Sequence, residues 1–219
     1  MKILVTGATG TVGGDLIREA VKCELVDSIV ALSRKPLEFS DKKLRVVLHQ
    51  DYLNYDSIES EFRNVDWVFW CLGISQSQVS KEEYIKITYD YTVKAAEMLR
   101  KLNPSAGFIF VSGEGANEEG KATTLFGKIK GKVESKLLSM GFSKLYIVRP
   151  GGIRPIHMNK NTARVNKIIA PLYPLIEIIA PSTMIRSDDL GKAILQLASA
   201  GADHTIIKNK ELRILSKIK

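Results

Sequence analysis

The sequence is short of the residues that hold a fold together from outside its core. Two cysteines and three histidines in 219 residues leave no zinc framework, and His49, His157 and His204 stand too far apart for paired metal-ligand spacing. No metal site is expected. A chain of this length buries roughly 70% of the surface that its unfolded state exposes, so disulfides are not needed either. No apolar run approaches the ~18 residues of a membrane span. The start, Met1-Lys2-Ile3-Leu4-Val5-Thr6-Gly7, reads into a glycine turn rather than a signal-peptide cleavage site. No repeat, low-complexity tract or Pro/Gly/Ser-rich linker divides the chain, so the expectation is one cytoplasmic, reduced domain over 1–219. Acid is the scarcer charge, 24 Asp+Glu against 32 Lys+Arg for a net +8. That balance permits nucleic acid, but no recognised DNA or RNA motif accompanies it, and nucleic acid is not expected as a partner.

What the sequence does have is a regular alternation. Ile3-Leu4-Val5 is an apolar run that stops at Gly7, and Val12, Leu16, Ile17, Ala20 and Val21 then follow at helical spacing. Further strands are expected at 28–32, 44–48, 67–72, 108–111 and 145–148. Helices are expected at 56–62, 82–101, 125–140 and 190–200. Strands that are apolar on both faces and separated by helices predict an α/β fold, a Rossmann-type doubly wound parallel sheet covered on both sides. Residues 206–207 and 212–215 read as short edge structure. Between 153 and 187 the texture changes, with Pro155, Pro171, Pro174 and Pro181 breaking any long helix. This segment is expected to be an irregular C-terminal cap on the substrate side.

Gly7-Ala8-Thr9-Gly10-Thr11-Val12-Gly13 sets a glycine at every third position, directly after a strand and at the mouth of a helix. A tight turn, close approach of backbone to a pyrophosphate, and a helix N-terminus with unpaired N–H groups all ask for this arrangement. Gly7, Thr9, Gly10, Thr11, Val12 and Gly13 are therefore candidate cofactor contacts. The end of the second strand selects the nucleotide. An NAD site usually carries Asp or Glu there for the ribose 2′-hydroxyl, whereas this chain has Ser33 and Arg34 followed by Lys35. Arg34 can pair with a 2′-phosphate, so NADP(H) is expected over NAD(H). Asp51 and Tyr52, just past the third strand, are candidates for the adenine, although Asp at that place is equally a helix cap.

These residues, with Cys71-Leu72-Gly73, Tyr89 to Ala96, Val111-Ser112-Gly113, Lys130-Gly131-Lys132-Val133-Glu134 and Val148-Arg149-Pro150-Gly151, resemble the short-chain dehydrogenase/reductase superfamily. The similarity is to its atypical branch, which includes the Tat-interacting-protein-like oxidoreductases and NAD-dependent epimerase/dehydratase-like proteins, and it covers nearly the whole chain. The resemblance implies NADP across the strand ends, with Cys71, Leu72, Gly73 and Lys130 lining the cofactor and Pro150, Gly151 and Ile153 near the nicotinamide. It also implies a homodimer.

In that superfamily a Tyr four residues before a Lys passes the proton as hydride moves, and a Ser after the fifth strand orients the substrate oxygen. The matching Lys is Lys130, and Ser112 is the candidate Ser, although the position after it is Gly113. Four residues before Lys130 stands Phe126, which has no ionisable proton. Three readings stay open: a protein that binds NADP without turnover, one that uses another donor such as Tyr84, Tyr91 or water, or a reaction that needs no acid there. The substrate implied is a small carbonyl or related compound. The alternative class is a non-catalytic NADP(H)-dependent sensor that binds a partner through its cap. From Glu134 to Glu177 no acid interrupts Lys136, Lys144, Arg149, Arg154, Lys160, Arg164 and Lys167, and Ile168 to Ile176 is strongly apolar. That combination suits either a cap closing over the nicotinamide or peripheral contact with an acidic membrane.

Overall fold

The computed structural model describes residues 1–157 and 183–218. Most of the expected cap, including the apolar run 168–176 and Lys160, Arg164 and Lys167, lies outside the described residues.

The chain opens with β1 (Lys2–Thr6), α1 (Thr11–Lys22), β2 (Ser28–Ser33) and β3 (Leu44–Leu48). A 3-10 turn (Asp56–Ile58) leads into α2 (Glu59–Arg63), then β4 (Trp67–Trp70) and α3 (Lys81–Ile85). A π-helical turn (Lys86–Asp90) joins α3 to α4 (Tyr91–Leu102), followed by β5 (Gly107–Val111), α5 (Leu125–Ser139) and β6 (Leu145–Arg149). The described remainder holds β7 (Gly152–Arg154), β8 (Met184–Arg186), α6 (Ser187–Ala200), β9 (Ile206–Lys208) and α7 (Asn209–Leu215).

Seven strands form one sheet in the order β3-β2-β1-β4-β5-β6-β9, every neighbouring pair parallel. Both faces are covered, which is why the strands are apolar on both sides. In β5, Ile109 and Val111 face one core with Leu16, Ile17, Ala193 and Ile194, whereas Phe108 and Phe110 face the other with Ala95, Val133 and Leu137. The chain walks outward from β1 to β3 and then crosses to β4, so the connections leave in opposite directions between β1 and β4. That reversal opens a crevice at the C-terminal strand ends, where ligands bind open α/β sheets.

The structure departs from the expected elements in four places. The fourth strand stops at Trp70, leaving Cys71 and Leu72 in the turn. The long helix at 82–101 is interrupted by the π-helical turn. Both ends of the expected irregular cap pair as a two-stranded parallel ladder, Ile153 opposite Ile185. Residues 212–215 are helical rather than edge structure, because Asn209 and Leu212, three apart, share the buried side of α7 while Lys210 and Ile214 are exposed.

Candidate functional site

The loop between β1 and α1 is built around backbone contacts that side chains would obstruct. Gly7 adopts φ +69°, and a Cβ there would lie 2.5 Å from the Cys71 carbonyl oxygen. A Cβ on Gly13 would lie 2.5 Å from the Gly7 carbonyl oxygen. The Gly10 amide donates to Gly7 at 2.8 Å and Gly14 donates to Gly10 at 3.0 Å, closing the turn. Gly10 caps α1 with no side-chain acceptor, and the first turn carries no acidic residue. The amides at this end are thus left for an anion, helped by the positive end of the helix dipole. The Leu72 amide donates to Thr6 Oγ1 at 3.2 Å, which fastens the end of β4 beside the loop. Gly7, Cys71 and Leu72 meet at the crevice, and a dinucleotide fits the cradle they form with Gly10 and Gly13.

At the end of β2, the Ser33 hydroxyl donates to the Lys35 carbonyl at 2.8 Å and accepts from the Lys35 amide at 3.2 Å. Gln50 holds the Arg34 carbonyl at 2.7 Å. The Arg34 side chain is exposed, and no carboxylate among the described residues pairs with it. Asp51 caps its own turn, accepting from the Leu53 amide at 3.0 Å. Tyr52 does not stand at the open end. Its ring is 2% exposed and stacks on Tyr91 at 5.5 Å, and its hydroxyl donates to the Leu32 carbonyl at 3.2 Å. Burial pushes that phenol up to about 12. Tyr52 braces the end of β2 from within the core.

The expected catalytic positions lie just past the end of β5 and on α5. A Cβ on Gly113 would come 2.7 Å from Cζ of Phe126, so the phenyl ring packs on the bare glycine. The Ser112 hydroxyl is buried and donates to Glu134. Lys130 is 7% exposed, donates to the Val111 carbonyl at 2.8 Å, and lies 4.4 Å from the centre of the Phe110 ring. Burial lowers its ammonium to about 8, opposed by the nearby Glu134 and Cys71. Burial likewise raises the Cys71 thiol to about 12. On the far side of the crevice, the Pro150 carbonyl accepts from the Glu114 amide at 2.8 Å and the Gly151 amide donates to buried Asn209 at 3.0 Å.

Lys130 is held charged near neutral pH at a cost. Between about 8 and the ordinary lysine value of 10.5 the unfolded chain binds more protons than the folded one, so stability rises with pH across that window. Lys130→Met is expected to stabilise the fold at pH 7 by about 1–3 kcal/mol while weakening nucleotide binding. Paired thermal melts and binding titrations check this; a variant that is less stable and binds normally contradicts it.

Three clusters had no signal in the sequence. Glu134, fully buried, accepts from Arg149 Nε at 3.1 Å and from its Nη2, and Arg149 also pairs with Glu118. Arg149 is therefore not part of a free basic surface. Asp15 on α1, 2% exposed, accepts from His157 Nδ1 at 2.6 Å and from the Ser187 hydroxyl. Tyr84 and Thr88, buried on one side of the π-helical turn, have hydroxyls that meet no hydrogen-bond partner among the described residues, although Thr88 stands near enough to oppose slightly the upward push of burial on Tyr84. Tyr91, the other alternative donor, lies against Tyr52. Among the described residues no group of three or more His, Cys, Asp or Glu is placed to hold a metal, and no helix is long and apolar enough to cross a membrane.

A family model described as NAD(P)H-binding matches residues 7–166, from the glycine loop past β7. The chain belongs to this NAD(P)H-binding family. This bears out the expected atypical short-chain dehydrogenase/reductase-like family. The chain is 27% identical over 151 residues to the Rattus norvegicus protein HTATIP2, a match covering 68% of this chain and 61% of that protein. It is 29% identical over 157 residues to the Candida albicans mitochondrial protein FMP52, covering 70% and 67%. The UDP-glucose 4-epimerase of Thermotoga maritima shares the fold, with TM-score 0.71, 16% identity, and coverage of 99% of this chain and 82% of that one. The expectation of a cytoplasmic protein is corrected here, because FMP52 relatives in five yeasts bear the word mitochondrial in their names. Composition and an unremarkable start carry no information against such a compartment.

Proposed function

We propose that this NAD(P)-binding protein takes NADP(H) in preference to NAD(H) and acts as an oxidoreductase on a small carbonyl compound without a tyrosine acid. The observation that carries the reading is the end of β2, where Arg34 is exposed and pairs with no carboxylate among the described residues, and Ser33 curls the loop beneath it. A 2′-phosphate suits that place, whereas the ribose 2′-hydroxyl of NAD finds no acidic acceptor there. Cys71, Leu72, Gly73 and Lys130 line the nicotinamide half in this reading, with Pro150, Gly151 and Ile153 opposite. When bound, the reduced nicotinamide supplies hydride. The chain's own residues bind it through the α1 N-terminus, orient it over β4 and β5, and wall the substrate with the Phe126 ring.

Arg34→Ala is expected to weaken NADPH about 10- to 100-fold, the worth of a charge-assisted hydrogen bond, and NADH by less than about threefold. Equal losses for both nucleotides defeat the claim that Arg34 reads the phosphate.

The packing of Phe126 on Gly113 favours a second reading, an NADP(H)-responsive protein that binds a partner and turns nothing over. Calorimetric titration with NADPH and NADH, on the native chain and on Phe126→Tyr, alongside assays on a panel of aldehydes and ketones, separates the two. Turnover by the native chain supports the oxidoreductase. Tight NADPH binding with turnover in the Tyr variant alone supports the sensor, and binding of neither nucleotide overturns both.

A further inference from the structure

We propose that Lys130 is the proton donor of this site, its ammonium giving an N–H to the substrate carbonyl oxygen in place of the missing phenol. The inference rests on the NADP(H) oxidoreductase reading and adds the acid that reading lacks.

The groups that face Lys130 are few. From its own helix comes Glu134, one turn after. From the turn after β4 comes the Cys71 thiol, and from β5 the Val111 carbonyl and the Phe110 ring. Glu134 is held by both Arg149 and Ser112 and makes no hydrogen bond to Lys130. The Val111 carbonyl takes one of the three N–H donors. The other two find no acceptor among the described residues, on a side chain more than nine-tenths buried. Unmatched donors on a buried cation are costly and are satisfied by a ligand's oxygens.

The competing donors are poorly suited. Phe126 has no proton to give. The Ser112 hydroxyl points its hydrogen at Glu134. Cys71, pushed up to about 12, holds its proton at neutral pH, and Tyr84 is 1% exposed with burial pushing its phenol up as well. The same burial brings Lys130 down to about 8, near the working pH at which a general acid is most effective.

The step balances without further reagents. Hydride from the reduced nicotinamide adds to the carbonyl carbon. The Lys130 N–H bond breaks as the O–H bond forms, and its electron pair stays on Nζ. The alcohol and the oxidised nucleotide leave, and the amine regains a proton from water.

The test pairs kinetics with a direct titration. Protein labelled with 13C at lysine Cε gives a resonance absent from Lys130→Arg, whose midpoint reports Lys130 without any turnover. Native turnover of NADPH with an aldehyde and ketone panel is expected to fall about tenfold per pH unit above that same midpoint. Lys130→Arg keeps charge and donors but does not release its proton. It is expected to bind NADPH within about fivefold of native and to lose at least ~100-fold in turnover, with Phe126→Tyr in that background restoring at least about tenfold. Turnover by Lys130→Arg at the native rate, or a rate midpoint away from the NMR midpoint, overturns the inference. A native chain that binds NADPH and reduces no carbonyl, or one that binds neither nucleotide, overturns the oxidoreductase reading on which the inference rests.

Discussion

Gly13→Ala is expected to weaken NADPH and NADH alike by about 100-fold or more, close to 2.7 kcal/mol. The added Cβ meets backbone on every side, 2.5 Å from the Gly7 carbonyl oxygen, 2.7 Å from its carbon and 2.8 Å from the Thr6 carbonyl oxygen. None of these atoms can rotate away, so the β1–α1 turn has to open. The Gly10 to Gly7 hydrogen bond of 2.8 Å and the aim of the first α1 amides change with it. Those amides form the proposed anion site, and such donors act only from fixed positions. Gly73→Ala is the contrasting variant, because a Cβ there meets nothing within 4 Å. It is expected to fold with native stability, so any loss of affinity reports the nucleotide itself. Calorimetry with both nucleotides and thermal melts on each variant make the comparison. Gly13→Ala that melts as native and binds within about threefold removes the glycine loop from the site.

The fold was legible because its two strongest signals are local. Runs such as Ile3-Leu4-Val5 and Phe108-Ile109-Phe110-Val111 are apolar at every position, which only a strand covered on both faces requires. The glycine loop names its own neighbours, a strand before and a helix after. Leu212-Arg213-Ile214-Leu215 misled because four residues do not separate a period of two from one of 3.6. Its helical partner, Asn209, is polar and gave no hint that it would be buried against the Gly151 amide. The π-helical turn was invisible for a related reason. Lys86 to Asp90 has ordinary helical composition, with no residue that marks a widened turn.

The site was legible where spacing along one element decides the matter. Phe126 is four residues before Lys130 on one helix, and its lack of a proton is a fact of composition. What Gly113 does for it was not readable, since the contact joins β5's exit to α5 across a turn of unconstrained length. Tyr52 was misplaced because sequence gives the position after β3 but not the side to which the ring turns. The basic stretch after Glu134 looked continuous for the same reason, as the partner of Arg149 lies 15 residues back on another element.

That partner sets the largest expected stability effect. Arg149→Met leaves Glu134, 0% exposed, as a carboxylate whose one hydrogen bond among the described residues comes from the Ser112 hydroxyl, with the Lys130 ammonium nearby but not bonded to it. Breaking one side of a buried ion pair costs about 3–5 kcal/mol, because the remaining charge is still desolvated. For a chain of this size that lowers Tm by about 10 °C. Removing both charges in Arg149→Met with Glu134→Leu is expected to recover most of the loss, since two apolar side chains no longer strand a charge. Glu118 makes the acid limb checkable. Its own backbone amide and then the Arg149 guanidinium hold its carboxyl below the usual range, so its contribution is present above that range and disappears as pH falls through the lowered value. Acid unfolding of Arg149→Met is therefore expected to lose part of this pH dependence. A single variant costing less than about 1 kcal/mol, or a double variant no better than the single, shows that the cluster is solvated and does not bind β6 to α5. The native outcome has a consequence for the site as well. The same carboxylate that answers Arg149 engages the Ser112 hydroxyl, so the ion cluster that fixes α5 also occupies the proton that Ser112 would offer.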